Sequence, residues 1–301
     1  MRNKKPMSIG SINWNGKMQQ DDLFPASEMK SIQELTGLPG RKGMEMLIVS
    51  GGTVVNAVSK DYGHMLNENF FLKVEEKLIE NDIHYKTRSI NRDNRSFICD
   101  YIIDDDNFIV EMKSNGTKKF GERDIIRPMM RFITSYDGSC MTGGNFGFFR
   151  QVCANGLNVG QAISGFSVRK TSGVHELVLP EINELINKFM DNEFFSLKKK
   201  FEKLINVPIR SNEKFVKIIC DKTKLFKFEK SDKNPEPSVN AQIILDIMKN
   251  EQKTLGQDSS LWLGYNAFNS LIHNKLSRSF DEQKKLDEKV FETIYGFAPV
   301  S

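Results

Sequence analysis

The chain is poor in the features that declare a chemistry. It has four cysteines in 301 residues, Cys99, Cys140, Cys153 and Cys220, far apart and with no C-x-x-C pair. That argues against a zinc ribbon or a disulfide scaffold and fits a reducing cytoplasm. No apolar run approaches the roughly 18–20 residues that a membrane helix needs. The basic start, Met1 to Lys5, is followed by no apolar stretch, so a secretory signal is not expected. There is no G-x-x-x-x-G-K-[ST] loop, no strand–G-x-G-x-x-G–helix unit, no H-E-x-x-H and no G-x-S-x-G. The histidines His64, His84, His175 and His273 do not cluster along the chain. No metal centre, catalytic residue or cofactor is therefore expected from motifs.

What is present is enough for a folded protein. Hydrophobic residues make up 39% and charged residues 27%, so a core can form. The net charge of +4 is mild, but it is uneven. Between Ser196 and Asn234 eleven lysines and one arginine face five acids, a local charge of +7, so the remainder sums to −3. Such a concentration attracts phosphate and makes binding salt-dependent. It is also how a solvated helix face reads.

The pattern predicts an α+β chain: an antiparallel β meander with helices in the N-terminal half, and a mainly helical C-terminal half. Residues 1–45 read as an irregular segment, apart from a short helix over 27–35 capped by Ser27. Residues 46–178 read as the β-rich core. Strands are expected at 46–49 and 53–58 around Gly51-Gly52, and at 84–90, 96–103, 108–113, 129–134 and 146–152. Gly143-Gly144 is read as a turn, and 69–81 as an amphipathic helix. Residues 179–301 form the helical region, with helices at 181–207, 213–228, 239–251, 259–274 and 280–295, the third capped by Ser238.

Three constellations could carry chemistry. Asp100 followed by Glu111-x-Lys113 resembles a metal-dependent nuclease pattern, because Glu111 and Lys113 share one face of a strand. The plain alternative is a hairpin acid and an outward-facing strand edge. Arg123, Arg127 and Arg131 are spaced for a helical stripe, but Pro128 interrupts it, which leaves Arg123 and Arg127 as phosphate contacts or surface ion pairs. Phe146, Phe148 and Phe149 beside Arg150 either stack bases or pack a core. The remaining candidate contacts to nucleic acid are Lys198, Lys199, Lys200, Lys203, Lys214, Lys217, Lys224 and Lys227.

The stretch SYDGSCMTGGNFGFFRQVCANGL is distinctive. It resembles the phage/plasmid-like protein family known as domain of unknown function 932 (DUF932). That family shows an Asn-Ser-His-Asp-Gly-Ser turn, a strand and then Arg-x-Val-Cys-x-Asn-Gly-Leu. Here the turn reads Thr134 to Ser139, with Tyr136 in place of the His, and Asp137, Gly138 and Ser139 retained. The second part is intact in Arg150, Val152, Cys153, Asn155, Gly156 and Leu157. Trp262, Tyr265, Asn266, Ala267 and His273 resemble the C-terminal signature. These residues read as scaffold, with Asp137-Gly138 and Asn155-Gly156 as two turns.

The resemblance implies a mobile-element protein in a bacterial cytoplasm. The leading expectation is a non-enzymatic, homo-oligomeric protein that binds single-stranded DNA in replication or recombination. A protein-binding module, acting on a host-defence or virion partner, is the alternative, and a nuclease the third.

Overall fold

The computed structural model describes residues 8–9, 26–92, 95–113, 123–150, 155–157, 165–171, 173–190, 194–231, 234–276 and 280–299. The chain clusters into two units that interleave in sequence. The first holds residues 1–106, 129–146 and 164–191; the second holds 107–128, 147–163 and 192–301.

The first unit is built on an antiparallel sheet. Strands β1 (Ser8–Ile9), β5 (Tyr85–Arg92), β6 (Ser96–Ile103) and β8 (Ile125–Ser135) pair in that order, and β9 (Thr142–Arg150) follows β8. Every residue of β6 is buried, so both of its faces are covered. On one face Phe97, Cys99 and Tyr101 alternate with the buried Ile98, Asp100 and Ile102 on the other. Helix α2 (Asn67–Glu80) buries Phe70, Phe71, Val74 and Leu78, and Phe70 meets the Phe132 ring of β8 edge-on at 6.0 Å. A second sheet joins β2 (Ser27–Ser31), β3 (Met46–Ser50) and β4 (Thr53–Val58). Gly51 and Gly52 make the β3–β4 turn with φ of 57° and 73°, a conformation that glycine adopts without strain.

Several expectations are corrected here. Ser27 does not cap a helix: residues 27–31 pair with β3, and Ser31 caps the short α1 (Ile32–Thr36) by accepting a bond from Glu34 N. Strand pairing outweighs the threefold apolar spacing. Gly143-Gly144 is not a turn but lies within β9, beside β11 (Gly165–Val168). A Cβ on Gly144 would stand 2.8 Å from the Phe132 ring and 2.9 Å from Phe166, so glycine lets two rings close over the strand. Helix α3 (Val174–Met190) starts before Pro180 rather than after it. Its buried stripe of Val174, Val178, Ile182, Leu185 and Phe189 continues through the proline, so packing outweighs the lost backbone bond. The boundary expected near 178 therefore falls inside a helix.

The second unit is helical around α7 (Leu261–Asn274), whose first nine residues are all buried. Against α7 pack α4 (Phe194–Ile205), α5 (Asn212–Thr223), α6 (Val239–Leu255) and α8 (Phe280–Tyr295). The expected helix over 181–207 is thus two helices, and the break at 234–237 is strand β13, paired with β12 (Glu229–Ser231). Ser238 caps α6, accepting from Ala241 N, as its position implied. β7 (Val110–Glu111) pairs with the start of β8, and β10 (Asn155–Leu157) with the end of β9. Asn155-Gly156 therefore forms an edge strand rather than a second turn.

The crowding at Gly144 gives a direct test. Gly144→Ala is expected to lower stability by about 1–3 kcal/mol, because the added methyl would push the Phe132 ring, which is fully buried against Phe70 and Tyr101, out of place. The readout is a lower urea midpoint with an unchanged m-value.

Candidate functional site

The lysine-rich segment forms two helices and a loop of the second unit. In α4, Phe201, Leu204 and Ile205 are buried, which leaves Lys199 and Lys203 exposed one turn apart and Lys198 and Lys200 half-buried. In α5, Phe215, Val216, Ile219 and Cys220 are buried, while Lys214, Lys217 and Lys222 are exposed. Lys224 ends α5 in the left-handed region at φ 55°, its N–H donating to Cys220 O, and Lys227 follows, exposed. Some of this charge is already countered. Lys198 lies 3.7 Å from Glu202 and Lys217 lies 2.5 Å from Glu229, whose hydrogen bond raises the Lys217 pKa. Lys203 is also engaged. Lys199, Lys214, Lys224 and Lys227 have no ion pair among the described residues.

The arginine candidates fare differently. Residues 125–135 form a strand, so Arg123, Arg127 and Arg131 do not align as a helical stripe. Arg123 is exposed and sits 3.5 Å from Glu111, whereas Arg127 is half-buried on β8. Arg131 is buried in the first unit, where Asp100 lies opposite it on one side and opposite Arg88 on the other. Burial pushes the Asp100 carboxyl up, but Arg131 and then Arg88 outweigh it and hold the pKa at about 2.

That arrangement engages the acids of the nuclease-like pattern in ion pairs. Asp100 is fully buried, and both its oxygens accept guanidinium N–H groups at 2.5–3.0 Å. Glu111, in the second unit, is a counter-ion to Lys113 at 3.0 Å and to Arg123. Among the described residues no group of three His, Cys, Asp or Glu is placed to hold a metal.

Arg150 is not a nucleic-acid contact. It has no exposed surface, because its guanidinium is spent inside the second unit. Its Nε and Nη2 donate to the two oxygens of Asp124 at 2.7 and 2.8 Å, and Nη1 donates to Glu251 Oε2 at 2.7 Å. The Trp262 indole N–H donates to Asp124 Oδ2 at 2.8 Å, and its ring lies 5.6 Å from the guanidinium. Asp124, which sequence reasoning passed over, thus joins Arg150 to Trp262. Burial raises the Glu251 pKa more than Arg150 lowers it, and its Oε1 has no partner among the described residues. The strand beside Arg150 is core as well. Phe148 is fully buried against Phe201 at 5.3 Å, and Phe149 is 7% exposed.

The turn after β8 is equally scaffold-like. Gly138 has φ 69°, Asp137 Oδ1 accepts from Ser139 N at 2.9 Å, and Asn56 Nδ2 donates to Asp137 O at 2.7 Å. Ser135 Oγ both donates to Cys140 O and accepts from Cys140 N. Tyr136 is buried, with Phe97 at 5.0 Å and its hydroxyl accepting from Asn67 N. In α7, Asn266 Nδ2 donates to Trp262 O, and His273 lies 3.5 Å from Asp287, which also accepts from Tyr265 and Asn269. Cys153 lies outside the described residues.

A family model described as "Domain of unknown function (DUF932)" matches residues 54–290. The chain belongs to the DUF932 family. No curated protein and no solved structure matches it. In this DUF932 chain the signature side chains that the structure describes are mostly buried and hydrogen-bonded within the fold. No helix among the described residues is long and apolar enough to cross a membrane.

One residue beside the DUF932 turn was not legible in the sequence. Lys170 Nζ donates to Thr134 Oγ1 at 2.7 Å and to Ser135 O, pinning the end of β8. Burial lowers its pKa from 10.5 to about 8, against the opposing pull of Cys140 and Asp137. The lysine is adjacent to no motif, and only the fold brings it there.

Two outcomes follow from these geometries. Arg150→Ala is expected to cost about 3–5 kcal/mol, because it strands Asp124 and Glu251 in the interior; Arg150→Lys should not restore the stability, since an ammonium cannot reproduce the fork. Chemical denaturation reads both. For Lys170 the unfolded chain keeps its proton up to 10.5 and the folded chain releases it near 8. Wild-type stability should therefore rise relative to Lys170→Met as pH increases from about 8 to 10.5, which thermal melts across that window will report.

Proposed function

We propose that this chain is a non-enzymatic nucleic-acid-binding protein of a phage or plasmid, engaging single-stranded DNA during replication or recombination in a bacterial cell. The observation that carries the reading is a set of exposed lysines without a counter-ion among the described residues: Lys199 on α4, Lys214 on α5, and Lys224 and Lys227 at and after the end of α5, the two helices both packing on α7. A polynucleotide offers evenly spaced phosphates to such a surface, and release of its counterions drives binding. The mobile-element setting rests on the DUF932 resemblance alone. Arg150 takes no part in the binding, and Arg123 is the arginine left at the surface.

A protein-binding module is the second reading. It is favoured by an open concavity of about 370 Å³ lined by Pro237, Val239 and Ile243 together with Gln242 and the Lys230–Glu236 ion pair, with Val239 72% exposed.

The test is the salt dependence of binding to labelled oligo(dT), followed by fluorescence anisotropy. Neutralising Lys199, Lys214 and Lys224 to Gln should weaken binding and shallow the slope of log K against log salt by about 0.7 per lost phosphate contact. Neutralising Lys198 and Lys217, already paired, should change the slope far less. An unchanged slope in the first variant, or no binding at low salt, would overturn the proposal in favour of the protein-binding reading.

A further inference from the structure

The aromatic residues expected to stack bases, Phe148 and Phe149, are inside the fold, so the exposed lysines would give phosphate contact without any reading of single strands. The second unit nevertheless has aromatic rings at its lysine surface. At the C-terminal end of α8, Tyr295 is half-buried and Phe297 is 39% exposed. Lys200 of α4 places Nζ 6.0 Å from the centroid of the Tyr295 ring, and Lys222 of α5 places Nζ 4.7 Å from that of Phe297. Two aromatic residues at one helix end thus each meet a lysine from a different helix. Neither Lys200 nor Lys222 has an ion pair among the described residues.

The local structure explains why the rings sit there. Phe291, one turn before Tyr295, stacks on it at 5.8 Å and is itself buried against Tyr265. The backbone then closes the helix with Gly296 N–H donating to Glu292 O and Phe297 N–H to Ile294 O. Lys289 Nζ donates to Thr223 O, which ties α8 to the end of α5 where Lys222 lies. Phe297 is therefore held on an anchored helix end rather than on a free strand of chain.

We propose that Phe297, with Lys222 across its ring and the Lys200–Tyr295 pair at the same helix end, is the base-stacking contact for a single-stranded polynucleotide. The inference rests on the nucleic-acid reading above and adds the chemistry that selects single strands. A ring with an ammonium over one face keeps its other face for a base, and every base has a π-face, so stacking of this kind is tolerant of sequence. The lysines supply the charge that phosphates on either side of the stacked base require. A duplex keeps its bases paired within the stack and gains only the phosphate part.

The experiment compares wild type with Phe297→Ala on three labelled probes: oligo(dT), a duplex, and an abasic strand of equal length. Phe297→Ala should lower affinity for oligo(dT) roughly tenfold and leave the abasic strand, the duplex and the salt slope unchanged. Phe297→Trp should keep oligo(dT) binding, and the introduced indole should be quenched by oligo(dT) but not by the abasic strand. Equal affinity of wild type and Phe297→Ala for oligo(dT), with the lysine variants still weakened, overturns the stacking contact and leaves the phosphate reading standing. A wild type that binds none of the three probes overturns both.

Discussion

A guanidinium in the interior must be matched donor for donor, and in the second unit that requirement falls on the Arg150–Asp124 bond. Asp124 takes two guanidinium N–H groups and the Trp262 indole, and Glu251 receives the third nitrogen. Three stretches of chain, near 124, at 150 and over 251–262, are thereby tied to one buried point. Trp262 lies in the first turn of α7, the helix on which α4 and α8 pack, and Phe201 of α4 rests on the Trp262 ring at 4.8 Å. The position of the lysine-bearing helices is thus set from the inside outward. A desolvated ion pair does not have to add stability to do this; its effect is that any arrangement which separates the partners is costly.

Much of the fold was legible where a local pattern and a tertiary requirement agreed. Strand β6 and helix α8 occur over the residues expected, and Ser238 caps α6. The failures share a cause: the deciding partner was distant in sequence. Gly143-Gly144 carries turn chemistry, yet Phe132 and Phe166 close over it and need a missing side chain in a strand. Ser27 begins an apolar spacing of three, yet an unpaired strand edge at β3 claims those residues first. Pro180 suggests a helix start, yet the apolar stripe runs on both sides of it.

The candidate surface was legible only as a density of charge. Composition located α4 and α5, but it did not separate lysines that keep their charge from those facing Glu202 and Glu229. The distinction depends on helix phase for Lys198 and on the β12 hairpin for Lys217. Arg150 shows the opposite error. An arginine beside three phenylalanines has the composition of a binding strand, and only the buried Asp124 turns it into core. Tyr295 and Phe297 escaped notice because two aromatics at a helix end carry no pattern until lysines from other helices stand over them.

The Arg88–Asp100–Arg131 row also locks the register of three strands. The three residues are directly opposite one another on adjacent strands, with a single carboxylate between two guanidinium groups. If either neighbour slid along β6 by one position, the alternation of side chains would carry its arginine to the opposite face. The aspartate would then lose a partner in a place water does not reach. A one-residue shift of this sheet is therefore disfavoured against the native register by the cost of an unpaired buried charge.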